Sequence, residues 1–112
     1  MRPLLSNDLK SFLSRFDDFK GSELREFKIL SPTSFIVTLA TQDSARGYDW
    51  ISMDFELSSA SAANLLDNSK LTLIDMTDGV EISHNGTDFA FSILNSTFFI
   101  ECATIKYQEG IF

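Results

Sequence analysis

Three turn signals in the last third of the chain restrict how its strands can pair. Asn85-Gly86 is typical of a two-residue type I′ hairpin loop, and Asn95-Ser96 indicates a second tight turn. Thr77-Asp78-Gly79 suits a three-residue loop with Gly79 in the left-handed conformation. Because side chains alternate between the two faces of a strand, each loop length determines which residues lie opposite each other. Together the three loops predict an antiparallel meander with one continuous apolar face.

These loop lengths predict a definite register for the last strands. His84 is expected opposite Thr87, and the predicted apolar pairs are Met76 with Val80, Ile74 with Ile82, Ile82 with Phe89, Val80 with Phe91, Ile93 with Phe98, Phe91 with Ile100 and Phe89 with Cys102. On the opposite face the same register places Asp75 beside Glu81, Glu81 beside Ala90, and Ala90 beside Glu101. The sequence therefore predicts a row of three carboxylates on the face turned away from the core.

The first twenty residues predict an amphipathic helix that ends at Gly21 after about three or four turns. Its apolar stripe consists of Leu5, Leu9, Phe12, Leu13, Phe16 and Phe19. Further strands are predicted over residues 27–29, 35–41 and 51–57, with a turn at 31–34, a polar loop at 42–47 and a short helix around 60–66. The predicted fold class is α+β, with the N-terminal helix packed on one face of a mostly antiparallel, meander-type sheet of about six or seven strands.

Length and composition predict a single domain over residues 1–112. A chain of 112 residues is too short to form two adequate cores. It contains 11 phenylalanines, whose side chains have no polar group to satisfy, so most of them are expected in the core.

The net charge of −7 is unevenly distributed along the chain. Residues 1–30 contain six basic and five acidic residues, a net charge of +1, whereas the remaining 82 contain three basic and 11 acidic residues, a net charge of −8. A field of this sign repels phosphate groups, which argues against nucleic acids and anionic membranes as partners and suits a basic protein. High solubility alone would also account for it.

No catalytic, cofactor or metal-binding residue is predicted, and the chain is expected not to be an enzyme. It lacks a phosphate-binding glycine loop and a nucleophile elbow, and one histidine and one cysteine do not make a zinc site. His84 is expected to flank a turn, and Cys102 to be a buried, inert thiol. Asp54 and Glu56 have roughly the spacing of a glycosidase carboxylate pair, but a small sheet offers no deep cleft, so a solvated strand face is the preferred interpretation.

A cytoplasmic location is expected. One cysteine cannot form an intrachain disulfide, and Asn7 and Asp8 interrupt any apolar signal segment near the N-terminus. No apolar run approaches the roughly 20 residues that are needed to cross a bilayer.

The size, the charge and the order of elements of this chain resemble those of a known group of proteins, and several segments carry the resemblance. They are Phe16-Asp17-Asp18-Phe19-Lys20, the two strands after it, Asp54-Phe55-Glu56-Leu57 and Asp78-Gly79-Val80. In these features, which span most of the chain, it resembles a loose group of small acidic bacterial proteins that includes immunity proteins of polymorphic toxin systems. The resemblance implies a protein that neutralises a toxin by binding it, and it carries over no catalytic residue.

The preferred functional hypothesis is a non-catalytic binding protein whose acidic sheet face docks onto a basic protein. The expected partner-binding residues are Trp50, Asp54, Glu56, Asp75, Glu81 and Glu101. The alternative is a small-ligand binder or minor enzyme with an aromatic pocket between the helix and the sheet. A third hypothesis is a homodimer in which Trp50, Phe99 and Ile105 bury one another across a two-fold axis.

Overall fold

The computed structural model describes residues 1–65 and 74–112, which form one α-helix and a seven-stranded antiparallel sheet. Helix α1 spans Leu9–Arg15, and the strands are β1 (Arg2–Pro3), β2 (Glu23–Ser31), β3 (Ser34–Asp43), β4 (Asp49–Asn64), β5 (Val80–His84), β6 (Phe89–Ile93) and β7 (Phe99–Ile111). Short 3₁₀ turns occupy Ser6–Asp8, Asp17–Phe19 and Ser44–Arg46. The predicted α+β class, with a helix on one face of a mostly antiparallel sheet, is confirmed.

The sheet consists of two three-stranded meanders joined along their longest strands. One meander is β2-β3-β4, the other is β5-β6-β7, and the strand order is β2-β3-β4-β7-β6-β5. Strands β4 and β7 pair from Ile51 opposite Ile111 to Asn64 opposite Phe99. The short β1 pairs with β7 at Tyr107 and Lys106. Each meander follows from local turns, whereas the β4–β7 pairing joins segments that are far apart in sequence.

The β5–β6 hairpin has a four-residue loop, so the predicted two-residue loop is wrong. The Asn85 side-chain oxygen accepts hydrogen bonds from the backbone N–H groups of Thr87 and Asp88, at 3.0 and 2.8 Å, and thereby bridges the wider loop. The register moves by two residues, an even number, so the same side chains stay on the core face. The observed pairs are Val80 with Ile93, Ile82 with Phe91 and His84 with Phe89.

The β6–β7 register is confirmed. Phe89 lies opposite Cys102 and Phe91 opposite Ile100, as predicted. The Ile93 N–H donates to the Phe98 carbonyl at 3.3 Å and closes the turn, in which Asn95 takes a positive φ of 65°.

Residues 74–76, before β5, form a loop instead of the predicted strand. Gly79 has a φ of 76°, which confirms its left-handed conformation. The Met76 carbonyl accepts hydrogen bonds from the N–H groups of Gly79 and Gly21, at 3.0 and 2.9 Å. Because these bonds replace those of a strand ladder, the predicted pairs Met76–Val80 and Ile74–Ile82 are wrong.

The prediction of a short helix around residues 60–66 is also wrong for those of its residues that the structure describes. Residues 60–64 continue β4, and residue 66 lies outside the described residues. Ala60 lies opposite Cys102 and Ala63 opposite Ile100, so pairing with β7 supplies the backbone hydrogen bonds that a helix would have supplied. A bulge between Ala60 and Ala62 shifts the register, next to Ser59 with a φ of 57°.

Helix α1 has about two turns and not three or four. Phe12, Phe16 and Phe19 are buried as the apolar stripe predicts, but Leu5 is exposed. The helix ends early because Asp17, Asp18 and Phe19 take positive φ values of 52°, 55° and 61°. Each costs about 1–2 kcal/mol for an L-residue, and burial of Phe19 in a stack with Phe16 at 5.1 Å offsets part of that cost.

Phenylalanine rings fill the space between α1 and the sheet. Phe55 of β4 contacts Phe12, Phe19 and Phe91, with ring centroids 6.1, 5.5 and 5.5 Å away. Phe27 of β2 lies 5.4 Å from Phe98, which directly precedes β7, although two strands separate β2 from β7. In a flat sheet the three inter-strand steps alone would separate them by about 14 Å, so the sheet curls around its core.

Candidate functional site

The six expected partner-binding residues fall into separate groups. Trp50, Asp54 and Glu56 lie along β4 on the face turned away from the core, because Ile51, Met53, Phe55 and Leu57 alternate with them into the core. Glu81 of β5 and Glu101 of β7 share that outer face near the other end of β4, since Glu101 lies opposite Ala62. Asp75 lies in the loop before β5.

Asp54 and Glu56 share one face as predicted, but neighbouring groups moderate their charge. The Asp54 carboxylate accepts a hydrogen bond from the Thr38 hydroxyl on β3 at 2.7 Å. Glu56 lies opposite Lys106 of β7, so a cation occupies the adjacent cross-strand position. This middle part of the outer face therefore carries charges of both signs.

The predicted row of three carboxylates does not form. Glu81 lies opposite Ser92 and not Ala90, because the β5–β6 register differs by two residues. Ala90 lies opposite Glu101, as predicted. The Asp75 carboxylate accepts from the hydroxyl and the N–H of Thr77, at 2.5 and 2.9 Å, and these hydrogen bonds lower its pKa. Asp75 and Glu81 are thus not cross-strand neighbours.

The structure instead gathers five carboxylates around β5, β6 and the first part of β7, a region we call the acidic lobe. Its members are Asp75, Asp78, Glu81, Asp88 and Glu101, and each is at least partly exposed. Residues 71–105 contain no lysine or arginine. Within the described part of the chain, no ion pair involves a residue of the lobe. The lobe therefore carries negative charge with no cation paired to it there.

Asp78 and Asp88 belong to the lobe but were not among the expected residues. Both lie in loops: Asp78 accepts a hydrogen bond from the Asn95 side-chain amide, and Asp88 lies in the β5–β6 loop. The signal that could have identified them is the run of 35 residues without a basic side chain, which is readable directly from the sequence.

Cys102 lies buried beneath the lobe, opposite Phe89. Burial is the main cause that raises the pKa of its thiol to about 11, and the charges of Asp88 and Glu101 contribute in the same direction. The thiol is therefore neutral near pH 7, which suits an inert core residue.

We expect Cys102 to resist alkylation in the folded protein. Iodoacetamide at pH 8 should leave the native thiol unmodified over a period in which it modifies the unfolded chain completely, because only the exposed thiolate reacts. Intact-mass measurement with and without denaturant gives the comparison. Rapid modification of the native protein would contradict the burial of this side chain.

His84 flanks the β5–β6 loop, as the sequence predicts. Its Nδ1 accepts a hydrogen bond from the Gly86 N–H at 3.2 Å, and its ring packs against Phe89 at 4.5 Å. The hydrogen bond assigns the proton of the neutral ring to Nε2. Both contacts hold the imidazole against the hairpin. The geometry of the loop is therefore enough to account for a histidine at this position.

An ion-pair network built around one buried carboxylate lies at the other end of the molecule, between α1 and the ends of β3 and β7. Arg15 of α1 binds both carboxylate oxygens of Asp43, at 2.9 and 2.6 Å, and its Nη1 lies 3.2 Å from Glu109. Arg46 joins the same two carboxylates, at 3.4 Å from Asp43 and 3.0 Å from Glu109. Two guanidinium groups thus balance two carboxylates.

The Asp43 side chain is fully buried in this network. The Arg15 hydrogen bond is the main reason that the pKa of Asp43 is lowered, and the Ala45 N–H contributes through a bond of 2.9 Å. The same hydrogen bond raises the pKa of Arg15. No local sequence pattern predicts this network, because its members lie at positions 15, 43, 46 and 109.

The described residues contain no group of three or more histidine, cysteine or acidic side chains placed to hold a metal ion. Nor do they include a helix long and apolar enough to span a membrane. Comparison with protein-family models, with curated proteins and with solved structures finds no match for this chain.

Proposed function

We propose that this chain is a non-catalytic binding protein that recognises a basic protein partner through the acidic lobe. The observation that carries the proposal is the concentration of five exposed or half-exposed carboxylates in residues 71–105, which contain no lysine or arginine. The sequence resembles immunity proteins of toxin systems. From that resemblance we propose that the partner is a toxin and that binding neutralises it.

The charge of the lobe suits fast association with a basic surface. At an ionic strength of about 0.01 M the Debye length is about 30 Å, so carboxylates roughly 12 Å apart act together, whereas at physiological ionic strength, where it is about 8 Å, they do so only in part. Strand β6 lies between Glu81 and Glu101, and the two residues are offset by two positions along the strands. Their Cα atoms are therefore about 12 Å apart. A field of this kind steers an oppositely charged protein and raises the association rate more than the contact energy.

The packing of the core favours this proposal over the small-ligand alternative. Between α1 and the sheet, Phe12, Phe19, Phe55 and Phe91 are buried and lie ring against ring. In the described part of the chain these side chains occupy the space that an aromatic pocket would require.

The test compares two double variants that remove the same charge from different places. Glu81→Gln with Glu101→Gln removes two carboxylates from the lobe. Glu23→Gln with Glu26→Gln removes two from β2, where they pair with Arg25 and Lys28 at 2.9 and 3.5 Å. The probe is a purified basic toxin domain, sought among the genes next to that of this chain, and affinity is measured by surface plasmon resonance at several salt concentrations.

We expect the lobe variant to bind about 3- to 30-fold more weakly at low salt, as the loss of two exposed ion pairs implies, and to depend less on salt. The β2 variant should change affinity by less than about twofold, because those carboxylates are already paired within the strand. Equal effects of the two variants would mean that only the total charge matters. That result, or the absence of a toxin gene next to this one, would overturn the proposal.

A further inference from the structure

The apolar patch expected for a homodimer does not form. Trp50 is exposed, as that hypothesis requires, but Ile105 is 1% exposed and packs in the core. Phe99 lies at the far end of β7, opposite Asn64. A group of polar atoms arranged as a reaction requires lies elsewhere, in the loop that joins β5 to β6.

This loop holds an asparagine followed by a glycine, Asn85 and Gly86, and both are exposed. In such a pair the backbone nitrogen of the glycine can attack the side-chain carbonyl carbon of the asparagine and close a cyclic imide. The reaction is intramolecular, and glycine favours it because no Cβ atom crowds the attacking nitrogen. A Cβ atom at Gly86 would meet nothing within 4 Å, so the surrounding loop leaves this residue open as well.

A base is hydrogen-bonded to the attacking nitrogen. The Gly86 N–H donates to Nδ1 of His84 at 3.2 Å. In the neutral ring this Nδ1 has a lone pair and no proton, so it can take the proton as the nitrogen attacks. The contact with the Phe89 ring at 4.5 Å holds the imidazole in place. The proton acceptor is therefore already positioned in the folded chain.

The oxygen that gains charge during this attack is surrounded by donors. Oδ1 of Asn85 accepts hydrogen bonds from the N–H and the hydroxyl of Thr87, both at 3.0 Å, and from the Asp88 N–H at 2.8 Å. Donors that point at a carbonyl oxygen stabilise the negative charge of a tetrahedral intermediate, as an oxyanion hole does. Residues 84–88 thus bring together a nucleophile, a base and charge-stabilising donors.

We infer that this loop converts Asn85 to aspartate or isoaspartate by a reaction within the folded chain. The Gly86 nitrogen bonds to Cγ of Asn85 while its proton passes to His84. The bond from Cγ to the side-chain amide nitrogen then breaks, and that nitrogen leaves as ammonia with the proton from His84. Water adds to one of the two imide carbonyl carbons and breaks its bond to nitrogen, which yields either acid. One water is consumed and one ammonia released, with no change of oxidation state.

The product adds a carboxylate to the acidic lobe. Asn85 lies three positions before Asp88 in the same loop, so its conversion raises the number of lobe carboxylates from five to six. The negative charge of the lobe therefore increases as the protein ages. The inference goes beyond the proposed function and stands whether or not a basic partner exists.

Asn95 provides a comparison within the same molecule. It is exposed in the β6–β7 turn and is followed by Ser96, whose Cβ atom crowds the backbone nitrogen. The Ser96 N–H donates to the Ile93 carbonyl at 3.3 Å and not to an imidazole, and the Asn95 amide donates to Asp78. We therefore expect Asn85 to react while Asn95 stays intact.

Peptide mapping by chromatography and mass spectrometry measures the reaction at each asparagine. The folded chain is incubated in dilute buffer at about pH 8, where imidazole groups are neutral, and the same chain is incubated unfolded in guanidinium chloride. Asn85 should react about 10-fold or more faster in the folded chain, because only folding places the base and the donors. This comparison uses the wild-type chain and needs no variant.

Two variants separate the contributions of the base and of the donors. His84→Phe keeps a ring against Phe89 but removes the base, and it should slow the reaction of the folded chain about 10-fold. Thr87→Val removes the hydroxyl and keeps the N–H, so it should slow the reaction about 3- to 10-fold, less than the loss of a donor in a buried site. Ser83→Ala is the matched control, since it changes an exposed neighbour of His84, and its rate should stay within about twofold of the wild type.

In guanidinium chloride all four chains should react at the same rate, because the loop no longer exists there. If Asn85 in the folded wild type reacted no faster than in the unfolded chain, the ordinary reactivity of the pair would suffice and the inference would be overturned. A folded His84→Phe variant that reacts as fast as the wild type would overturn it too, as would equal conversion of Asn95.

Discussion

Asp43→Ala is expected to destabilise the protein by about 2–3 kcal/mol, because it removes charge-assisted hydrogen bonds from the partly exposed Arg15 and the acceptor of the Ala45 N–H. The Asp43 side chain is fully buried and binds both Arg15 and Arg46, so its loss leaves two guanidinium groups with one carboxylate, that of Glu109. Guanidinium chloride unfolding followed by circular dichroism measures the loss. Asp49→Ala removes an exposed aspartate from the start of β4 and should change the free energy of unfolding by less than about 0.5 kcal/mol.

The same carboxylate predicts acid sensitivity. The pKa of Asp43 is lowered in the folded protein, so its contribution is complete above the unfolded pKa of about 3.9 and is lost as the pH falls through the folded value. The wild-type free energy of unfolding should therefore decrease below about pH 4, and Asp43→Ala should show a shallower decrease. Parallel pH curves for the two proteins would contradict the assigned role of Asp43.

Gly79→Ala is expected to cost about 3 kcal/mol or more. A Cβ atom at this position would lie 2.1 Å from the Asp18 carbonyl oxygen and 2.9 Å from the Lys20 nitrogen, both of which belong to the backbone. Relief of that clash requires movement of the left-handed turn that carries Asp18 and the buried Phe19. The positive φ of 76° adds roughly 1 kcal/mol for an L-residue.

Gly47→Ala separates the two contributions to this cost. Gly47 also has a positive φ, 63°, but a Cβ atom there would meet nothing within 4 Å. This variant should lose only about 1 kcal/mol, so the difference between the two alanine variants measures the clash with Asp18. Thermal unfolding gives both values. Equal losses would show that the close approach of the loop to Asp18 contributes nothing.

The sequence predicted which side chains enter the core more reliably than which residues face each other. Alternation assigned Ile82, Phe89 and Phe91 to one face, and a register error of two residues at the Asn85 loop left that assignment intact. The helix was predicted too long because its apolar stripe continues to Phe19, while the chain leaves the helix after Arg15 in a left-handed turn. That turn packs against Gly79, a contact between residues about 60 positions apart that no local pattern encodes.

In the candidate binding surface, too, the sequence predicted the face on which a side chain lies better than it predicted the neighbours of that side chain. The alternation of β4 correctly placed Trp50, Asp54 and Glu56 on its outer face. The sequence could not show that Lys106 lies beside Glu56 or that Ile111 lies near Trp50, because both depend on the long-range pairing of β4 with β7. The acidic lobe was only partly predicted, because the carboxylates were assigned by strand register and Asp78 and Asp88 lie in loops.

The most direct test of the central proposal is an amide chemical-shift map of the ¹⁵N-labelled chain in complex with the basic toxin domain that we propose as its partner. The proposal predicts that the largest shifts occur in residues 75–104, around Glu81, Asp88 and Glu101, and that they diminish as salt is added. Binding that shifts α1 or the end of β7 near Ile111 and leaves residues 75–104 unchanged would contradict it.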